Sequence, residues 1–177
     1  MICCAPHANL LLTTDWHGHP MQYTQGQLRK AVSIGAETFR HWKTVLPYLS
    51  EKSGHSAKFL AGDLLALSLL KKLTNDCSIN ISNLATVFEE ILYLCNTESW
   101  DELEKLILYV DVKSASCRTA PVLEKLTVSD VMIVIPLATP VQELHNELIE
   151  LQSEDTQGQF ILSANQSVNV LEQKRRA

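Results

Sequence analysis

The sequence predicts an α+β chain, mainly helical in its N-terminal part and ending in a small α/β region. Three observations lead there. Apolar residues recur at helical spacing within 25–43, 63–75 and 82–96. Val131 to Leu137 is a continuous run rich in β-branched residues, of strand length. Charge also divides the chain: residues 22–73 hold eight bases against three acids, a balance of +5, so the total of −5 leaves −10 for the rest. A basic module joined to an acidic one suits a nucleic-acid reader with a separate interaction region. A length of 177 residues allows one domain, or a small one plus another.

Residues 1–21 form a leader of different character, expected to be flexible. Residues 1–20 contain no lysine or arginine but hold Cys3, Cys4 and three histidines. Two origins stand open, an upstream extension of the reading frame or a short arm. Cys3, Cys4, His7, His17 and His19 match no standard metal spacing, so no metal and no cofactor are expected.

The next stretch is the most informative. Gln25 to Val32 suits a helix with Leu28, Ala31 and Val32 on one face. Ser33, Ile34 and Gly35 follow, and Gly35 is expected to free the turn from Cβ crowding. Ala36 to Lys43 suits a second helix with Phe39 and Trp42 facing inward. Glu37, Thr38, Arg40, His41 and Lys43 are left outside. A helix with an apolar back and a short, partly cationic front fits the DNA major groove. Arg40 matches guanine O6 and N7 bidentately, with Ala36, Thr38 and His41 beside it. The plain alternative for Arg40 is a surface ion pair with Glu37 three residues earlier.

Tyr23-Thr24, Gly26-Gln27-Leu28, Ala31, Ile34 and Glu37-Thr38-Phe39-Arg40-His41-Trp42 fall in unbroken order, followed by Leu46-Pro47, Gly54, Phe59 and Asp63-Leu64. This series resembles the MerR-type winged helix-turn-helix DNA-binding family, over roughly the span 22–95. The resemblance implies a winged domain, with residues 44–62 as the wing and Ser53-Gly54 turning between two short strands. It implies phosphate contacts from Thr24 and the first-helix amides, from Lys43, and from Ser56 and Lys58 in the wing. The chain departs from the family pattern at Ala57, where the wing arginine falls, and at His41, where tyrosine is usual. Family members pair through a long helix after the winged domain, and no sustained heptads stand here.

Further on, Asp63 to Asn75 carries two leucine stripes and should pack on two sides. Ser82 is expected to cap a helix to Asn96. Ser99-Trp100-Asp101-Glu102 is a capping box for a helix expected to reach Val110. Residues 96–126 are thus a helix and a connector, with 111–126 as the connector. In the region 127–177, Val131 to Leu137 is expected as a buried strand. Thr139-Pro140-Val141-Gln142 starts a helix to Gln152, with Val141, Leu144, Leu148 and Leu151 on one face. Gln159 to Ala164 suits another strand, completing a β-α-β crossover before a frayed tail. Two strands cannot bury themselves, so a third is needed, from Tyr109 to Val112 or from a second subunit.

Chemistry motifs are missing: the sequence contains no P-loop, G-x-G-x-x-G, H-E-x-x-H or G-x-S-x-G, so an enzyme is not expected. Five cysteines, an odd number without framework spacing, suit free thiols in a reducing cytoplasm. No apolar run is long enough to span a bilayer, so no membrane partner is expected. The expectation is a sequence-specific double-stranded DNA-binding regulator, forming a homodimer through its C-terminal region. The alternative is a winged-helix protein-interaction module, favoured by the neutral wing and the acidic remainder.

Overall fold

The computed structural model describes residues 21–52, 57–122 and 132–153. They form a mixed α+β structure, mostly helical, with one small antiparallel sheet.

Helix α1 (Gln25–Ala31) begins at a reciprocal capping box. Thr24 Oγ1 accepts from Gln27 N at 3.3 Å, and Thr24 N donates to Gln27 Oε1 at 2.9 Å. The helix ends in a Schellman closure, with Ser33 N on Lys30 O at 3.0 Å and Ile34 N on Arg29 O at 2.9 Å. That closure needs a left-handed residue just past the C-cap, and Ser33 supplies it at φ 52°. The expectation that Gly35 frees the turn is therefore corrected. Gly35 lies at φ −69° and is the N-cap of α2 (Ala36–Val45).

Leu46-Pro47 ends α2, yet Pro47 also opens a short helix α3 (Pro47–Glu51), since its fixed φ suits a first helical position. The expected two-stranded wing is corrected on this side. Among the described residues its strand pairing is one isolated bridge, Tyr23 with Phe59, closed by bonds of 2.8 and 2.9 Å. Ser53-Gly54 and Ser56 lie outside the described residues.

Helix α4 (Ala61–Asn75) is the hub. Leu64, Leu65, Leu67, Leu69, Leu70 and Leu73 are all fully buried, each worth about 1.5–3 kcal/mol relative to exposure. It starts two residues before Asp63 because the Asp63 carboxylate accepts from Leu60 N at 2.9 Å and closes the first turn. Helix α5 (Ile81–Thr97) is capped by Asn80, whose Oδ1 accepts from Ser82 N at 2.9 Å, rather than by Ser82 itself. Gly62 marks the close approach of α4 to α5. A Cβ there would strike the Cys95 carbonyl oxygen and lie 2.6 Å from Asn96 Oδ1.

Ser99 caps α6 (Trp100–Leu103), but this helix stops well short of Val110. Leu106–Asp111 is strand β1 instead, because an adjoining hairpin partner and a more distant segment complete a sheet with it. Asp111 Oδ1 accepts from Lys113 N at 2.9 Å and Ser114 N at 3.2 Å, folding the turn to β2 (Ser116–Pro121). Part of the expected connector 111–126 is thus a hairpin arm. Strand β3 (Ile133–Pro136) pairs antiparallel with β1, giving the order β2-β1-β3. The third strand foreseen at Tyr109 to Val112 is therefore the centre of the sheet. Strand β3 is half-buried, with Val134 and Pro136 exposed, and not fully buried as expected. Gln159 to Ala164 lies outside the described residues.

The chain is helical again over 138–153, here α7. Leu137 O accepts from Val141 N at 3.1 Å, so the helix opens before Thr139, which sits in its first turn. Val141, Leu144, Leu148 and Leu151 face inward as expected. They join one apolar core that also contains Tyr23, Leu28, Phe39, Leu70, Phe88, Leu108 and Val110. Lys72 Nζ pairs with Glu143 at 3.0 Å, and Gln152 Nε2 donates to Met21 Sδ at 3.3 Å. Helix α7 is thereby packed against the N-terminal elements.

Candidate nucleic-acid interface

The inner side of α2 is anchored by Phe39 and Trp42, 1% and 3% exposed. Phe39 meets Phe59 edge-on, with ring centroids 6.4 Å apart. Phe59 is held by both backbone bonds to Tyr23, and Tyr23 directly precedes the α1 cap Thr24. One cluster therefore positions the start of α1, the back of α2 and the extended segment around Lys58. Side chains alternate along an extended chain, so burying Phe59 turns Lys58 outward.

The outer side of α2 is open. Ala36, Glu37, Thr38, Arg40, His41 and Thr44 are exposed, and Lys43 is partly so. At ten residues the helix is about 15 Å long. No side chain caps its first turn. Of the expected contact residues, Ala36, Thr38, Arg40 and His41 share this exposed helix, and Lys43 borders it. Lys58 is exposed on the segment that reaches the buried back of α2 through the Phe59–Phe39 contact. Thr24 is exposed, but its hydroxyl is engaged in the capping box.

Arg40 and Glu37 do form the ion pair foreseen as the alternative: Arg40 Nη1 lies 2.8 and 2.7 Å from the two carboxylate oxygens. The two side chains are 71% and 81% exposed, so water and salt screen the pair to about 0–1 kcal/mol. A bidentate guanine contact is worth about 1–3 kcal/mol, enough to displace it. The pair holds the guanidinium outside the protein without committing it.

Several of the other bases in 22–73 face inward. Lys52 Nζ binds Asp63 at 2.8 Å. Lys71 Nζ donates to Val32 O at 3.1 Å, adding a cation to the C-terminal end of α1. Lys72 is tied to Glu143. Local sequence does not name these partners, because each lies at least 11 positions away in the chain. They reduce the cationic surface that a simple charge count implies.

Burial pushes the Cys95 thiol up to about 12, with a smaller push from Cys117. Burial and then the Glu90 carboxylate push Cys117 up to about 12 as well. Cys95 belongs to the core, and neither thiol is primed as a nucleophile. Among the described residues no group of three metal-ligating side chains converges. No helix among them is long and apolar enough to cross a membrane.

Compared with known proteins, the chain matches no family model, no curated protein and no solved structure.

Proposed function

We propose that the chain is a sequence-specific double-stranded DNA-binding protein of the transcription-regulator class. Helix α2 reads the major groove, with Arg40 as the principal base contact and Ala36, Thr38 and His41 beside it. Lys43 and Lys58 neutralise flanking phosphates. The carrying observation is the solvent-open face of α2, backed by Phe39 and Trp42. The MerR-type resemblance of the span 22–95 supports the same reading. Reading paired half-sites calls for two subunits, and the C-terminal region is proposed to join them.

The test is binding of the full chain to random duplex DNA across a salt series. With two to four cations meeting phosphate per protomer, log affinity should fall against log salt with a slope of roughly −2 to −4 per protomer. A flat response overturns the reading. A second reading, a protein-interaction module on the same fold, is favoured by Ala57 in the wing and by the inward use of Lys52, Lys71 and Lys72. The same flat response would select it.

A further inference from the structure

Asp63 is 1% exposed and is the buried charged residue of the core among the described residues. A buried carboxylate is costly unless fully partnered. Its partners come from three segments: Lys52 Nζ at 2.8 Å from the end of α3, Leu60 N at 2.9 Å from the approach to α4, and Asn96 Nδ2 at 3.0 Å from the last turn of α5. The Lys52 ammonium also lies 4.6 Å from the Tyr48 ring centroid and 5.1 Å from that of Phe59. Burial raises the Tyr48 pKa, and its hydrogen bond to Asp63 raises it further, so the phenol stays a donor.

The ion pair itself is weak evidence for stability, since a buried pair is often no better than apolar residues of similar volume; the bonds of Asp63 to Leu60 N and Asn96 are what hold the start of α4. What the pair adds is a fixed direction. Lys52 and Phe59 are seven residues apart in the chain. One ammonium, held by Asp63 and stacked on Phe59, ties the end of α3 and the segment 57–60 to the start of α4. Phe59 in turn touches Phe39 of α2.

We propose that Lys52 and Asp63 are a positioning pair for DNA binding. They set the segment 57–60, which packs through Phe59 on the inner side of α2, and with it the exposed Lys58, so that Lys58 and the open face of α2 meet one duplex. Neither residue touches nucleic acid. This inference rests on the DNA reading of that face and adds how its phosphate contact is held in place.

The test is a double-mutant cycle in the full chain, combining Lys58→Ala with the apolar replacement Lys52→Met plus Asp63→Leu. In the natural background Lys58→Ala should weaken binding to random duplex DNA roughly 3–10-fold. In the apolar background the same change should cost less than about twofold, measured well below that variant's own melting midpoint, which loss of the Leu60 and Asn96 bonds to Asp63 lowers. An equal loss in both backgrounds overturns the proposal. Lys52→Arg, which keeps the cation, should restore the full Lys58 effect, and its failure to do so also counts against the pair. If the apolar variant does not fold, Asp63→Asn takes its place with the same expectations. A salt-independent natural protein would overturn the DNA reading instead. The positioning claim is then read from amide exchange in the free chain. The Phe59 amide, bonded to Tyr23 O at 2.9 Å, should lose protection about tenfold or more in the apolar variant, and unchanged protection overturns the claim.

Discussion

Replacing Gly62 by alanine sets two effects of opposite sign against each other. Gly62 lies in the first turn of α4, and alanine favours a helix interior over glycine by about 0.5–1 kcal/mol. The added Cβ, however, would strike the Cys95 carbonyl and lie 2.6 and 2.8 Å from Oδ1 and Cγ of Asn96. Ordinary contacts of this kind are about 3.5–4.0 Å, so the helices must separate by roughly 1 Å. Asn96 is not free to swing away, because its Nδ2 holds Asp63 Oδ1 and Leu92 O. Overpacking of this sort costs about 1–3 kcal/mol and more where backbone is struck. The net expectation is a loss of about 1–3 kcal/mol, or a melting midpoint lower by about 2–12 °C for a chain of this size. Gly26→Ala is the control. Its Cβ would find only Thr24 Oγ1 at 3.9 Å, so the chain should gain about 0.4–1 kcal/mol. Thermal and urea unfolding of both variants measure the difference. If Gly62→Ala proves as stable as Gly26→Ala, the close approach of α4 to α5 is wrong.

Arg40→Ala should cost about 1–3 kcal/mol on the preferred DNA site and relax its sequence preference, whereas Lys58→Ala should weaken all sequences alike; competition binding separates the two. Stability should fall as pH rises above about 9. Cys95 ionises near the ordinary value of 9.0 once unfolded but near 12 when folded, so it withdraws up to about 1.4 kcal/mol per pH unit across that window, while half-buried Cys117 shifts the same way but, screened by solvent, adds less. Urea midpoints at pH 8, 9 and 10 check this, and a flat profile refutes the buried thiols. In the native protein, exposed Cys77 should react with a thiol reagent at pH 8 about 100-fold or more faster than Cys95, read by mass after limited labelling. Removing residues 132–153 should expose the apolar partners of Leu137, Val141, Leu144 and Leu148, so the truncated chain should bind a hydrophobic dye and lose its cooperative melt.

Much of the helical framework is legible in the sequence. The faces of α1, α2, α4, α5 and α7 follow from spacing alone, and so does the outward set on α2. Failures arise where two local signals compete or where the deciding partner is remote. Ser99 announces a helix start but not its length. Leu106 to Val110 is apolar throughout, which fits either a buried helix or a strand. Only the pairings with 116–121 and 133–136 decide it. Pro47 both ends one helix and opens another, and the rule for the residue before proline captures only the first role. At the turn, glycine looked the freer residue, yet the closure geometry placed the left-handed conformation on Ser33. For the candidate site, outward direction was readable, but the engagement of each cation was not. Lys52, Lys71 and Lys72 meet partners 11, 39 and 71 positions away in the chain.

Those three anchors converge on α4. Asp63 grips Lys52 at the end of α3, Lys71 the turn ahead of α2, and Lys72 the outer side of α7. Asp63 and Lys71 stand eight residues apart, about 12 Å along the axis. Each added or deleted residue between them would turn one set of anchors by about 100° relative to the other. Evolutionary length change should therefore collect in surface connections such as the 112–115 turn and be excluded from 63–72. In that interval a single deletion would do more damage than most substitutions, although every side chain involved would still be present.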